Sequence, residues 1–336
     1  MIRNAFFEEK MKVPEDKKMG SDVKKRAKKM SAGFARTDLA CESWDGRGGV
    51  EYREECTTAG CVQVTVVHMN VVTRTAAERL GRRRGNYVTV APLRGFAEID
   101  DASAAALSDI IGNELRKMAE SVCGCDIDAR FGVLVAGLGN SEMTADAVGP
   151  VTAGRVSATR HLRELEPGIY RALGCSAVSV VAPGVLGRTG MESSDILRGA
   201  IRAAKPDLLI AIDALAARSC ERLGKTIQLT DSGITPGSGV GNERHALTHS
   251  ALGIPVISIG VPTVVDSSTL VCEALEKSGM TDIFTDDGMP EALRRVLENG
   301  RSFFVSPREA DVITGRSAEI IANAINAVFG IGETGS

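Results

Sequence analysis

Two aspartates stand where apolar stretches of the chain end, which makes them the first candidates for chemistry. Residues 133–135 form an apolar run without alternation, typical of a buried parallel strand, and Asp146 follows this run after a glycine-containing turn. Asp213 ends a second apolar run, at residues 206–213. Open α/β sheets bind ligands at the carboxyl ends of their strands, so we expect both carboxylates in one crevice.

A carboxylate pair in one crevice has a definite chemical capacity. Two carboxylates at close range cannot both ionise cheaply, so they share one proton and act as one acid and one base. Such a pair can activate a water for attack on a carbonyl and protonate the leaving amine. The alternative is that Asp146 and Asp213 each cap the next helix, and the residues alone leave both interpretations open.

Two glycine-rich segments are candidates for binding. Residues 137–140 resemble a phosphate-binding turn, but the third glycine of the dinucleotide motif is replaced by Glu142, whose charge would repel phosphate. Residues 235–244 form either a plain surface turn or a loop whose amides hold a substrate or an oxyanion. The candidate substrate-binding residues in this loop are Gly237, Ser238, Gly239, Asn242 and Arg244.

Metal, serine and cysteine chemistry find little support in the sequence. His245 and His249 are four residues apart but lack the glutamate of the metalloprotease motif, and Cys123 and Cys125 have no second pair at zinc spacing. The nucleophile elbow of serine hydrolases is absent from the sequence. The sequence therefore predicts no metal site and no cofactor.

Composition narrows the class of protein and its partners. A chain of 336 residues with 43% hydrophobic content can bury a large core. The net charge of −3 and the 4% aromatic content argue against direct nucleic-acid binding. No apolar run reaches the roughly 18 residues of a membrane span, and the charged N-terminus lacks the apolar region of a secretory signal, so no membrane association is expected.

The first part of the chain differs from the rest. Residues 1–31 carry ten Lys or Arg against five Asp or Glu and few groups that could form a core. Composition alone leaves three interpretations of this segment open: a solvated tail, a targeting arm and a removable pro-segment.

Strand and helix patterns alternate along the second part, which indicates an α/β fold with a mostly parallel sheet and helices on both faces. Ser193 or Ser194 is expected to cap a helix, and residues 74–84 are expected to be a solvated connection. Strands are predicted at 62–72, 87–90, 177–181, 206–213, 228–230, 255–259 and 263–265, and helices at 103–123, 151–165, 193–204 and 307–328.

Five segments in order resemble the germination protease family of spore-forming bacteria, endopeptidases that degrade small acid-soluble spore proteins. The family's usual proline in its T-P-D motif is Ala145 here, which leaves Asp146 in place. The segments are Arg36-Thr37-Asp38-Leu39-Ala40, residues 137–140 with 144–150, residues 212–218, residues 236–242 and residues 259–263.

The resemblance implies a fold related to the hydrogenase-maturation peptidases, a homotetramer, and a zymogen that removes its own N-terminal segment. It also implies that Asp146 and Asp213 are an aspartic-type catalytic pair that needs no metal. By position relative to the first matching segment, processing is expected at Gly33 and Phe34. The resemblance thus implies that residues 1–33 are a pro-segment or flexible basic N-terminal extension and that residues 34–330 are a catalytic α/β domain. Small acid-soluble spore proteins would be the substrates, and the cytoplasm of the forespore or spore core the location.

Two alternatives stay open at this stage. Hydrogenase-maturation relatives use corresponding acids to hold nickel, so a metal-dependent peptidase of that type is one alternative. A non-enzymatic phosphate- or nucleotide-binding module is the other, although Glu142 argues against it. The division of acid and base roles between Asp146 and Asp213 is also open, because a coupled pair titrates as a unit.

Overall fold

A computed structural model describes residues 37–237, 244–280, 295 and 303–330 of the chain. The predicted boundary between residues 33 and 34 lies outside these residues. The described strands form one sheet in the order β1-β2-β3-β7-β8-β6-β4-β5, with β9 added on β8. They are β1 (Val50–Ala59), β2 (Val62–Val71), β3 (Gly85–Pro92), β4 (Gly132–Gly137), β5 (Ala177–Val181), β6 (Leu208–Ala217), β7 (Ile227–Thr230), β8 (Val256–Asp266) and β9 (Phe304–Val305).

The sheet is mixed, with a parallel block at the strands that carry both aspartates. Strands β8, β6, β4 and β5 pair in parallel, whereas β1, β2, β3 and β7 form antiparallel pairs that join the block at β8. Within the described residues, six of the nine strands (β1, β3, β4, β5, β6 and β8) share one direction. The predicted α/β fold with a mostly parallel sheet is confirmed.

Helices cover both faces of the parallel block, as predicted. The long helices α3 and α11 pack together on one face, where Ile111 and Ile325 join the core formed with Ile210. On the other face Leu197 of α8 packs with Leu209. The helices are α1 (Ala40–Ser43), α2 (Arg74–Leu80), α3 (Asp101–Cys123), α4 (Val148–Ala153), α5 (Arg160–Leu165), α6 (Pro167–Leu173), α7 (Leu186–Thr189), α8 (Ser193–Ala204), α9 (His249–Leu252), α10 (Ser267–Lys277) and α11 (Ala310–Phe329).

Two helix predictions are wrong in detail. The predicted helix at 151–165 is divided into α4 and α5, because Thr159 is tied to β5: its hydroxyl donates to the Ser176 carbonyl at 2.5 Å and accepts from the Val178 N–H at 2.9 Å. Neither predicted serine caps α8, whose N-cap residue is Glu192. The Ser193 hydroxyl instead donates to the Gly184 carbonyl at 3.0 Å.

Two strand predictions also change. Strand β6 continues to Ala217, so Asp213 lies within the strand and not at its end. The predicted strands at 255–259 and 263–265 are one strand, β8, which passes through Pro262 where the register with β6 shifts. Proline is tolerated at such a shift because the ladder hydrogen bond that it cannot donate is already interrupted there. Within the described residues, no helix combines the length and apolarity needed to cross a lipid bilayer.

Candidate active site

Asp146 and Asp213 line the same cavity, which has a volume of about 990 Å³. The cavity lies beside the carboxyl ends of β4 and β6, where open α/β sheets bind ligands. The structure therefore brings together the two carboxylates that the sequence places in separate segments.

Asp146 is held in a short 3-10 turn, Thr144–Asp146, that is tied to two neighbouring segments. The backbone N–H of Asn140 donates to Asp146 Oδ2 at 2.8 Å, and the Thr263 hydroxyl of β8 donates to the Ala145 carbonyl at 2.6 Å. Burial raises the pKa of Asp146, and the Asn140 N–H partly opposes that rise because it stabilises the charged form.

The glycines around this turn permit a close approach of backbone to backbone. Gly139 has a φ of +106°, and a Cβ there would lie 2.1 Å from the Asp146 carbonyl oxygen. A Cβ at Gly149, in α4, would lie 2.2 Å from the Leu138 carbonyl oxygen and 2.5 Å from that of Ile212. The glycine-rich turn thus serves the placement of Asp146.

Asp213 is the more buried of the two acids, with 5% of its surface exposed. It lies opposite Gly260 of β8, and its Oδ1 accepts from the Ala214 N–H at 3.0 Å. Burial raises the pKa of Asp213 well above its ordinary value, and the negative charges of Asp146 and Asp38 raise it further. Asp213 therefore keeps its proton to higher pH than a solvated carboxyl group.

The two carboxyl groups are arranged to differ in protonation. Each accepts a hydrogen bond from a different main-chain N–H, and no hydrogen bond in the described part of the chain joins one carboxyl to the other. Asp146, the less buried group, ionises first, and its charge then favours the protonated form of Asp213. Two neighbouring carboxyl groups with unequal pKa values are the arrangement that general acid–base catalysis can use.

A third acid, Asp38, lines the same cavity and was not among the predicted site residues. Its N–H donates to the Ala216 carbonyl at 2.8 Å, and its Oδ2 accepts from the Ala216 N–H at 2.9 Å. Asp38 therefore lies alongside β6, close to Asp213. A signal was present in the sequence, since Asp38 belongs to the first segment of the family resemblance.

Arg82 fixes the segment that carries Asp38. The prediction of a solvated connection over residues 74–84 is wrong, because residues 74–80 form α2, which buries part of its surface, and Arg82 makes hydrogen bonds to a distant segment. Gln228 of β7 also holds this segment: its side-chain NH2 donates to the Asp38 carbonyl at 3.1 Å, and its Oε1 accepts from the Ala40 N–H at 2.7 Å. The acceptors of Arg82 are the carbonyls of Thr37, Asp38 and Leu39, at 2.7, 3.1 and 3.2 Å, and the hydroxyl of Ser43.

The described ends of the second glycine-rich loop line the cavity. Of its predicted substrate-binding residues, Gly237 and Arg244 line the cavity. Its base is closed by a β-bridge between Ile234 and Leu247, and the Arg244 guanidinium lies 3.6 Å from the Glu192 carboxylate. The other predicted residues, Ser238, Gly239 and Asn242, lie outside the described residues, as do the predicted processing residues Gly33 and Phe34.

The two histidines do not share a helix face. His249 begins α9, whereas His245 precedes it in an irregular segment, with Nδ1 3.3 Å from the Ser194 hydroxyl. Over the described ranges, no group of three His, Cys, Asp or Glu side chains is arranged to hold a metal ion.

The fold and the cavity define a class: an α/β protein with an acidic, partly buried site at the ends of its parallel strands. Comparison with known proteins identifies the family within this class: a family model described as "Germination protease" matches residues 41–284. The chain belongs to the germination protease family and is therefore a peptidase.

Individual relatives agree over most of the chain. The germination protease of Priestia megaterium is 36% identical over 310 residues, covering 78% of this chain and 82% of that protein. Those of Bacillus subtilis and Clostridium acetobutylicum are 34% and 35% identical, covering 88% and 87% of this chain and 93% and 94% of the relatives. A solved structure, the [NiFe] hydrogenase maturation protease HycI from Thermococcus kodakarensis, matches with 20% identity and a TM-score of 0.31, covering 59% of this chain and 94% of that one.

Proposed function

We propose that this peptidase is a self-processing endopeptidase that cleaves small acid-soluble spore proteins during germination. The observation that carries the proposal is that Asp146 and Asp213 line one cavity in a chain of the germination protease family. In this proposal the enzyme works in the cytoplasm of the forespore and spore core as a homotetramer.

The proposed chemistry uses one water and one shared proton. Asp146, as the carboxylate, takes a proton from the water while the water oxygen attacks the scissile carbonyl carbon. Asp213, as the carboxylic acid, supplies its proton as the C–N bond breaks, so that the amine leaves neutral and a carboxylic acid forms. The higher pKa of the more buried Asp213 supports this division of roles.

Substrate is proposed to bind along the second glycine-rich loop. Gly237 and Arg244 line the cavity there, and Ser238, Gly239 and Asn242 complete the proposed set. Main-chain amides of such a loop would stabilise the negative charge that develops on the scissile carbonyl oxygen.

Self-processing is proposed at Gly33 and Phe34, which would release the basic N-terminal segment. The support is positional: Asp38 lines the cavity, and Phe34 is four residues before it, within about 14 Å of chain reach. In this proposal the full-length chain is a zymogen and the basic segment is its pro-segment.

The test is replacement of each acid by its neutral isostere. Asp146→Asn and Asp213→Asn should each abolish two reactions: self-cleavage, measured by mass analysis of the N-terminus, and cleavage of a small acid-soluble spore protein. Asp195→Asn, an exposed acid in the first turn of α8, is the matched control and should cleave normally. Circular dichroism should show all three variants folded. Normal cleavage by either active-site variant would remove that acid from the mechanism.

A chelator distinguishes this mechanism from the metal-dependent alternative. Incubation with EDTA followed by removal of the chelator should leave the cleavage rate unchanged if the aspartate pair alone activates the water. Loss of activity, restored by a divalent transition metal, would favour a peptidase of the hydrogenase-maturation type.

A further inference from the structure

The hydroxyl of Ser258 is a buried polar group without a hydrogen-bond partner, and it belongs to a residue of the cavity wall. Its side chain is 3% exposed, and its Oγ makes no hydrogen bond. The described residues contain four such buried atoms without a partner, among them Oγ1 of Thr226 and Thr269. Of the four, Ser258 Oγ alone belongs to a residue that lines the 990 Å³ cavity. Buried polar groups are nearly always paired in native proteins, so this hydroxyl calls for an explanation.

Neighbouring hydroxyls on the same wall already donate hydrogen bonds to protein atoms. The Tyr87 hydroxyl donates to the Arg83 carbonyl at 2.8 Å, and the Ser232 hydroxyl donates to Tyr87 at 2.9 Å. Thr230 lies 2.9 Å from Ser232 and, since the Ser232 proton is in use, must donate to it. Thr230 is opposite Ser258 across the β7–β8 pair. Ser258 is therefore the hydroxyl of this group with a proton to give to a ligand.

Ser258 and Asp213 lie on the same face of the sheet. In the parallel register Ser258 is opposite Ala211 and Gly260 is opposite Asp213, so the two side chains are one strand apart and two residues out of step. This separation is about 5 Å across the strands and about 7 Å along them. If the scissile bond of an extended peptide lies at Asp213, the peptide main chain two or three residues from that bond would lie over Ser258.

We infer that Ser258 is a substrate-binding residue whose hydroxyl donates a hydrogen bond to a main-chain carbonyl of the bound peptide, about two residues from the scissile bond. The inference rests on the proposed peptidase site. A donor suits this place because each residue of an extended peptide presents a carbonyl acceptor, whatever its side chain.

The first test compares two variants that each remove an unpartnered buried hydroxyl. Ser258→Ala should lower kcat/KM for a small acid-soluble spore protein roughly 3- to 10-fold, the effect of one lost hydrogen bond. Thr269→Val, in α10 and away from the cavity wall, is the matched control and should leave kcat/KM unchanged. Thermal unfolding should show both variants at least as stable as the parent, since neither loses a protein hydrogen bond.

The second test measures affinity without turnover. In the Asp146→Asn background, Ser258→Ala should weaken binding of the same spore protein by a similar factor. Unchanged kcat/KM together with unchanged affinity in folded Ser258→Ala would overturn the inference. Cleavage by Asp146→Asn would instead overturn the proposed mechanism, and a weaker affinity of Ser258→Ala would still support the subsite. A parent that neither binds nor cleaves the spore protein would overturn both.

Discussion

The Asp38 carboxylate accepts a 2.9 Å hydrogen bond from the Ala216 N–H, three residues beyond Asp213 on β6. The Asp38 N–H donates a 2.8 Å hydrogen bond to the Ala216 carbonyl, so two hydrogen bonds join Asp38 to Ala216. The pairing brings a third acid to the cavity, and the charge of Asp38 raises the pKa of Asp213. The segment just after the proposed processing site is therefore part of the site.

Neutralising Asp38 should change the pH dependence of cleavage. Asp38→Asn removes a negative charge beside Asp213, so the pKa of Asp213 should fall toward its ordinary value. If Asp213 is the general acid, activity is lost as pH rises through that pKa, and the alkaline limb of the kcat/KM profile should move to lower pH. Asparagine keeps an oxygen that can accept from Ala216, which separates the charge effect from the packing effect.

The control for this profile is Asp195→Asn, an exposed neutralisation on α8 with the same change in net charge. Its alkaline limb should coincide with that of the parent. A shift of Asp38→Asn to higher pH, or identical profiles for both variants, would contradict the assignment of Asp213 as the protonated partner.

Removing the Arg82 guanidinium should destabilise the protein. Arg82→Ala leaves the carbonyls of Thr37, Asp38 and Leu39 without their charged donor, and we expect the free energy of unfolding to fall by about 3 kcal/mol. Arg82→Lys should restore less than half of the loss, because an ammonium cannot span several acceptors as the planar fork does. Urea denaturation measures both.

The exposed Arg84→Ala is the matched control for that series, and it should change stability by less than about 0.5 kcal/mol. If Arg82→Ala were as stable as Arg84→Ala, the hydrogen bonds to the 37–39 segment would contribute nothing to the folded state.

The buried acid Asp213 should cost stability at neutral pH. Its pKa is raised in the folded protein, so between the unfolded pKa of about 3.9 and the folded pKa the native state binds more protons than the unfolded one. The free energy of unfolding therefore falls as pH rises through this window, by about 1.4 kcal/mol for each unit of pKa difference. Asp213→Asn should be more stable than the parent at pH 7.

This stability difference should vanish at low pH, where aspartic acid and asparagine are both neutral. Urea denaturation of the two proteins at pH 3.5 and pH 7 tests the sign. A variant that is less stable than the parent at pH 7 and equal to it at pH 3.5 would show that Asp213 is stabilised as an anion, contrary to its burial.

The turn before Asp146 should tolerate no side chain at Gly139. In Gly139→Ala the new Cβ would meet the Asp146 carbonyl oxygen at 2.1 Å and Oδ1 at 2.9 Å, at a φ of +106°. We expect a loss of about 3 kcal/mol or more in unfolding free energy. We also expect a fall of about 100-fold in kcat/KM, because the Asp146 carboxylate moves.

Gly187→Ala is the matched control, since Gly187 also lines the cavity and a Cβ there meets nothing within 4 Å. Its stability and kcat/KM should equal those of the parent. Equal activity in Gly139→Ala and Gly187→Ala would show that the Asp146 turn is not held in place by the close contact.

Local patterns in the sequence determined much of the fold and the positions of two of the three acids in the cavity. Apolar runs without alternation located β4 and β6, because strands buried on both faces require apolar residues throughout. The position of Asp146 after one run and of Asp213 in the other located the acids. The five ordered segments gave the family, which the comparisons confirm.

Tertiary structure alone decided how distant segments complete the cavity. Asp38 and Arg82 reach the site through hydrogen bonds to residues far away in sequence, and no local periodicity encodes such pairs. Ser258 has an ordinary place in an apolar strand, and only the pairing of β8 with β6 puts it on the same face of the sheet as Asp213, one strand away and two residues out of step. Burial raises the pKa of a carboxyl group through everything packed around it, so the chemistry of Asp213 became visible only once the sheet was assembled.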